Sequence, residues 1–121
     1  MPILTEFGKV SRKLRIDRNL TLSDMAEKTN LSASYISAVE IGKKDLTMEL
    51  VEKYIEILTK TEEEKEELLK SASVTMNSLK IDLTNEEEKN KIALKLARNI
   101  KYLNDEQIKK IENILNNKEI L

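Results

Sequence analysis

The stretch from Leu20 to Lys44, LTLSDMAEKTNLSASYISAVEIGKK, leaves the chain little choice of local conformation. Leu22, Met25 and Ala26 fall on one helical face after a Thr21 cap, and Ile36 and Val39 fall on another after a Ser32 cap with Ala33 beside it. Two caps so close together predict two short helices. Thr29, Asn30 and Leu31 turn the chain between them, with Leu31 as the apolar residue that pins the turn to a core. Gly42 ends the second helix, since glycine enters the left-handed conformation of a helix C-terminus at no steric cost. The local pattern therefore gives two helices meeting at a sharp angle.

Helical spacing continues on both sides. A first helix from about Thr5 to Arg18 turns Phe7, Val10, Leu14 and the stem of Arg15 inward and leaves Lys9, Arg12 and Lys13 nearer solvent; Gly8 weakens its first turn. Asp45 to Thr47 reads as a turn, and Met48 to Leu58 as a fourth helix burying Met48, Val51, Ile55 and Leu58, with Tyr54 at its edge. Thr61 followed by Glu64 is a capping-box pattern opening a fifth helix, whose acidic first turn suits the positive end of the helix dipole. Leu68, Leu69 and Ala72 close the bundle.

Taken together these residues resemble the Cro/repressor-type helix-turn-helix proteins, the lambda-repressor-like or xenobiotic-response-element family. The family pattern is matched by Arg15 in the first helix, Met25-Ala26 in the second, Ser34-Tyr35-Ile36-Ser37 in the third, and Glu40-Ile41-Gly42-Lys43 at its close. The resemblance covers roughly the first sixty residues and is specific only in combination. It implies a five-helix DNA-binding bundle and a structural ion pair between Arg15 and Glu40. Two positions depart from the pattern: Leu22 stands where many members carry a phosphate-binding Gln, and the third helix lacks the Gln, Arg or Asn that often reads bases. The expected DNA-binding set is Thr21, Ser23, Ser32, Ala33, Ser34, Tyr35, Ser37, Ala38, Lys43 and Lys44. Small side chains let the third helix approach base edges, with hydroxyls donating to bases or phosphates and Ala33 meeting a thymine methyl.

Charge is divided along the chain in a way that suits this reading. The whole has a net charge of −1, yet residues 1–44 hold eight basic against five acidic groups, a surplus of +3, while residues 61–121 hold eleven against thirteen, or −2. A basic end can meet phosphate while an acidic remainder stays turned away. So small a surplus predicts modest sequence-independent affinity, which scales with the phosphates neutralised.

Beyond Ser73 the pattern changes. Leu79, Ile81 and Leu83 alternate with Lys80 and Asp82, which is strand periodicity, and Thr84 or Asn85 is placed to cap a sixth helix with the stripe Ile92, Ala93, Leu96, Ala97, Ile100 and Leu103. Asn104 caps a seventh carrying Ile108, Ile111, Ile114 and Leu115. The expected fold is all-α: a helix-turn-helix domain over residues 1–72, then a short strand and a helical hairpin over 73–121 that dimerise or bind a partner. Leu79, Ile81, Leu83, Ile92, Leu96, Ile100, Leu103, Ile108, Ile111 and Leu115 are the expected adhesive residues.

Composition narrows the function classes. With 36% charged and 3% aromatic residues in 121, amphipathic helices are favoured over strands. No His and no Cys removes thiolate chemistry and the commonest zinc ligands; no Gly-rich phosphate loop occurs, and the carboxylates sit on charged faces or caps. No enzyme, metal or cofactor is expected. The opening residues lack the basic leader and apolar core of a signal peptide, so a cytoplasmic protein without membrane association is expected. The functional expectation is a sequence-specific regulator of transcription, a repressor binding double-stranded DNA as a homodimer. The alternative is an antitoxin whose C-terminal segment holds a toxin.

Overall fold

Each of the first five helices starts at a hydroxyl residue that accepts a hydrogen bond from an amide of its own first turn. In the computed structural model, which describes residues 3–117, these helices are α1 (Glu6–Asp17), α2 (Leu22–Thr29), α3 (Ala33–Glu40), α4 (Met48–Leu58) and α5 (Glu62–Thr75). Thr5, Thr21, Ser32, Thr47 and Thr61 accept from Gly8, Asp24, Tyr35, Leu50 and Glu64, respectively, at 3.0–3.2 Å. Each cap satisfies an amide that the helix itself leaves unbonded. Left-handed residues take the chain out of the early helices: Asn19 at φ 54°, Asn30 at φ 60° and Gly42 at φ 84°.

The five helices close around Phe7, Leu14, Met25, Ile36, Val39, Leu50, Val51, Tyr54, Leu58 and Leu68, all almost fully buried. α1 packs against α3, α4 and α5, while α2 packs against α3 and α4. Leu31 joins the edge of this core from the turn between α2 and α3. The inward face of α4 differs from the expected one. Leu50 is buried where Met48 was expected, Ile55 is only partly covered, and Tyr54 lies in the centre rather than at the edge. A buried phenol needs an acceptor, and its hydroxyl donates to Glu40 Oε2 at 2.8 Å, a partner 14 residues away.

Gly8 plays a different part from the one expected of it. It is buried where α1 crosses the end of α3, and a Cβ there would run into the Glu40 carbonyl oxygen. That same carbonyl accepts from the amide and the hydroxyl of Thr5, at 2.9 and 3.0 Å. Glycine thus permits a close helix contact and is no mere weak point in a turn.

α5 is tied to α1 by Arg18, whose Nη2 lies 2.6 Å from Glu64 Oε1. Glu64 also accepts from the amide of Lys60, one residue ahead of the Thr61 cap, so the expected capping box is shifted by one position on its return bond. The Arg18 guanidinium, helped by the Lys60 amide, holds the Glu64 carboxyl at about 2, below its ordinary 4.5. An unfolded chain protonates this group near 4.5 and the folded one near 2, so its contribution is complete above pH 4.5 and is lost as pH falls towards 2. Urea unfolding of Arg18→Gln should give a stability deficit that is present at neutral pH and closes on acidification. A deficit independent of pH would contradict the pairing.

The chain divides into two units after Lys80. The segment with alternating Leu79, Ile81 and Leu83 forms no strand among the described residues, and all three side chains are exposed. Alternation says which side chains share a face; a strand also needs a neighbouring backbone to bond, and the described chain offers none there.

The second unit holds α6 (Glu87–Asn99), a 3₁₀ turn at Ile100–Tyr102 and α7 (Asp105–Asn116). Asn104 caps α7 in a reciprocal box with Gln107. Neither Thr84 nor Asn85 occupies the cap of α6, which falls to Glu86 with no side-chain cap bond; Thr84 instead accepts from the Glu86 amide and bonds Asn90. Among the described residues no Cα of α6 comes within 8 Å of one of α7, and the two helices bury no side chain completely. Their stripes stay open. Leu96, Leu103 and Ile111 are half-buried, whereas Ile92, Ile100, Ile108 and Leu115 are exposed. No described helix is long and apolar enough to cross a membrane.

Candidate nucleic-acid interface

α3 owes its position to contacts made by its buried side. Ile36 and Val39 enter the core, and Glu40, at the last turn, is only 3% exposed. Arg15 Nη2 lies 2.7 Å from Glu40 Oε1, and the Tyr54 hydroxyl occupies the other carboxylate oxygen. Burial pushes the Glu40 carboxyl up from its ordinary value, against the opposing pull of Arg15 and Tyr54. Burial, reinforced by the neighbouring Glu40 charge, also pushes the Tyr54 phenol up, so this hydroxyl remains a donor. With the Thr5 bonds to the Glu40 carbonyl, the C-terminal end of α3 is fixed from α1 and α4 together.

The opposite side of α3 is made of small residues. Ser32 and Ser34 are exposed, with their hydroxyl oxygens 3.4 Å apart, and Ser37 and Ala38 are half-covered. Ala33 is half-covered as well, while Tyr35 packs partly on the core. Side chains this short keep the helix surface close to its backbone, so a flat-edged partner can approach within hydrogen-bond distance. The Ser32 hydroxyl already accepts the Tyr35 amide but retains its own proton for donation.

Thr21 and Ser23 are exposed at the start of α2. The Thr21 hydroxyl accepts the Asp24 amide, and Asp24 Oδ2 accepts the Thr21 amide at 2.8 Å. These bonds with Thr21, the backbone one first, hold the Asp24 carboxyl below its ordinary value. The free hydroxyl of Ser23 therefore sits next to a fixed negative charge, which weakens this helix end as an anion site.

Past α3, Gly42 reverses the backbone so that the amides of Lys43 and Lys44 both bond the Ala38 carbonyl, at 2.8 and 3.2 Å. Both lysines are exposed, and neither side chain has an acidic partner among the described residues. Arg12, exposed on α1, is near enough for its charge to favour the Glu40 carboxylate, which adds a third cation around this end of α3.

The structure thus brings Ser32, Ala33, Ser34, Ser37 and Ala38 to one helix, with Lys43 and Lys44 at its far end and Thr21 and Ser23 on the preceding one. Sequence reasoning missed Tyr54 as the third member of the Arg15–Glu40 group. Its only signal was position, since Tyr54 follows Val51 by three residues and precedes Leu58 by four, on the buried face of α4. Neither the curated proteins nor the solved structures give a match to the chain. Residues 12–65 match the helix-turn-helix family model, the Cro/C1-type, lambda-repressor-like kind whose members bind DNA and which this segment resembles.

Proposed function

We propose that the protein is a sequence-specific repressor that occupies promoter DNA with α3 in the major groove. The observation that carries this reading is the small-residue face of Ser34, Ser37 and Ala38 on a helix anchored from behind by Arg15, Glu40 and Tyr54. An anchored helix meets DNA without first being ordered. The loop lysines Lys43 and Lys44 bind backbone phosphate and set the register. With few long side chains to contact bases, groove shape supplies much of the discrimination.

One α3 reaches a half-site, so the active species is a homodimer presenting two such helices about 34 Å apart. The open apolar faces of α6 and α7 support association through the second unit, with a second copy as the partner. The same faces would serve an antitoxin, and co-purification of a different small chain would select that reading instead.

Selection from a random DNA pool tests the proposal: a common motif should be enriched, and failure to enrich any sequence would overturn it. Ser34→Glu should abolish binding to that motif without lowering the melting temperature. Lys43→Glu with Lys44→Glu should weaken all DNA alike and make the slope of log K against log salt shallower by about 2, the value for two lost phosphate contacts. An unchanged slope would remove these lysines from the interface.

A further inference from the structure

We propose that α6 pairs antiparallel with α6 of a second copy, with Ile92 near the two-fold axis; this rests on the homodimer reading above. The second unit contains no buried side chain among its described residues, and no Cα of α6 lies within 8 Å of one of α7. The stripe of α6 and the turn after it therefore keeps Ile92 and Ile100 more than half exposed, at 63% and 59%, on a helix whose remaining surface, Leu94 and Ala97 apart, is polar or charged. A surface of that kind is stable in water when something covers it.

The charges of α6 choose both the occupant and its direction. The helix opens on Glu86, Glu87 and Glu88 and closes towards Lys95, Arg98 and Lys101. Lys89 pairs with Glu86 and Lys91 with Glu88 inside the helix, but Lys95 and Arg98 have no acidic partner among the described residues. A parallel copy would set like charges side by side along the whole length. An antiparallel copy sets each acidic end against the other's basic end and also opposes the two helix dipoles.

The register follows from the flank. Glu88 and Lys95 are seven residues apart, so they lie on the same flank of the apolar stripe. Antiparallel helices face each other through like flanks. Setting Glu88 against Lys95 of the copy, twice by symmetry, places the axis midway between them, beside Ile92. Ile92 stands on the stripe at the axis and is 63% exposed, while Leu94, two residues on, points to the opposite side and is also 63% exposed.

The chain has no cysteine, so one introduced thiol reports one contact. Under mild oxidation, full-length Ile92→Cys should cross-link into a covalent dimer, because a disulfide requires Cβ atoms within about 4.5 Å. Leu94→Cys, on the far face, should not, and neither should Ile100→Cys, which antiparallel pairing carries away from the axis. Efficient linkage at both Ile92→Cys and Ile100→Cys would mean parallel pairing and overturn the proposal. Charge reversal supplies the second readout. Glu88→Lys and Lys95→Glu should each raise the dimer dissociation constant at least several-fold, and the double variant should return it to the parent value. A dimer indifferent to both reversals overturns the α6 pairing alone, whereas sedimentation of the parent as a monomer at operator-saturating concentrations removes the homodimer reading as well.

Discussion

Arg15→Ala is expected to cost about 3 kcal/mol of stability, because it leaves the Glu40 carboxylate buried without its cation. At several degrees per kcal/mol for a domain of this size, the melting temperature should drop by roughly 10 °C or more. The loss should depend on pH with a definite sign. Burial already pushes Glu40 up, and removing Arg15 pushes it further. A carboxyl whose folded value is raised costs stability above that value and costs less as it takes up a proton, so the deficit of Arg15→Ala should narrow on mild acidification. Joint replacement by Arg15→Met and Glu40→Leu should be less damaging than the single change, since no unpaired charge remains. Thermal melts of both variants and the parent decide the matter: an Arg15→Ala protein as stable as its parent would show that the pair contributes nothing.

Gly8→Val should be comparably severe for a wholly different reason. No charge is lost, but the branched side chain meets the Glu40 carbonyl oxygen and lies against the Glu40 Cβ, 3.2 Å from the position a Cβ takes. Backbone cannot step aside as a long side chain can, so α1 and α3 must separate, at a cost of about 2–3 kcal/mol. Separation also breaks both Thr5 bonds to that carbonyl. Gly8→Ala should fall between Gly8→Val and the parent. If melting showed Gly8→Ala to be stabilising, as expected of a simple exposed helix position, the close contact would be refuted.

What could be read from the residues was what depends on near neighbours. Thr21, Ser32 and Thr61 act on amides three positions ahead, and Gly42 acts through its own torsion angle, so the starts and ends of α2, α3 and α5 are written locally. The same holds for Asn104 at the start of α7. Gly8 and Tyr54 were misjudged because their significance lies in Glu40, 32 and 14 residues away, and nothing in their own surroundings announces it. The Leu79–Leu83 alternation misled for the complementary reason: periodicity in one segment carries no information about whether a second backbone lies beside it. Likewise, the stripes of α6 and α7 were legible as apolar faces, while how far they stay exposed was not.

The Thr5 clamp on Glu40 bears on how much of the chain is needed to make a working reading head. The family match spans residues 12–65, but the carbonyl at the end of α3 is held from Thr5, and the ring of Tyr54 stacks at 5.1 Å on that of Phe7. The core is closed from the other side by Leu68 and Ala72, and the Thr75 hydroxyl accepts the Phe7 amide at 3.1 Å. A fragment trimmed to the matched borders would expose Tyr54 and strip α3 of one of its anchors at a single stroke. The autonomous piece therefore runs from Thr5 to Met76, wider than the motif by a turn of helix or more at either end, and the recognition segment is best regarded as the visible centre of a larger cooperative body.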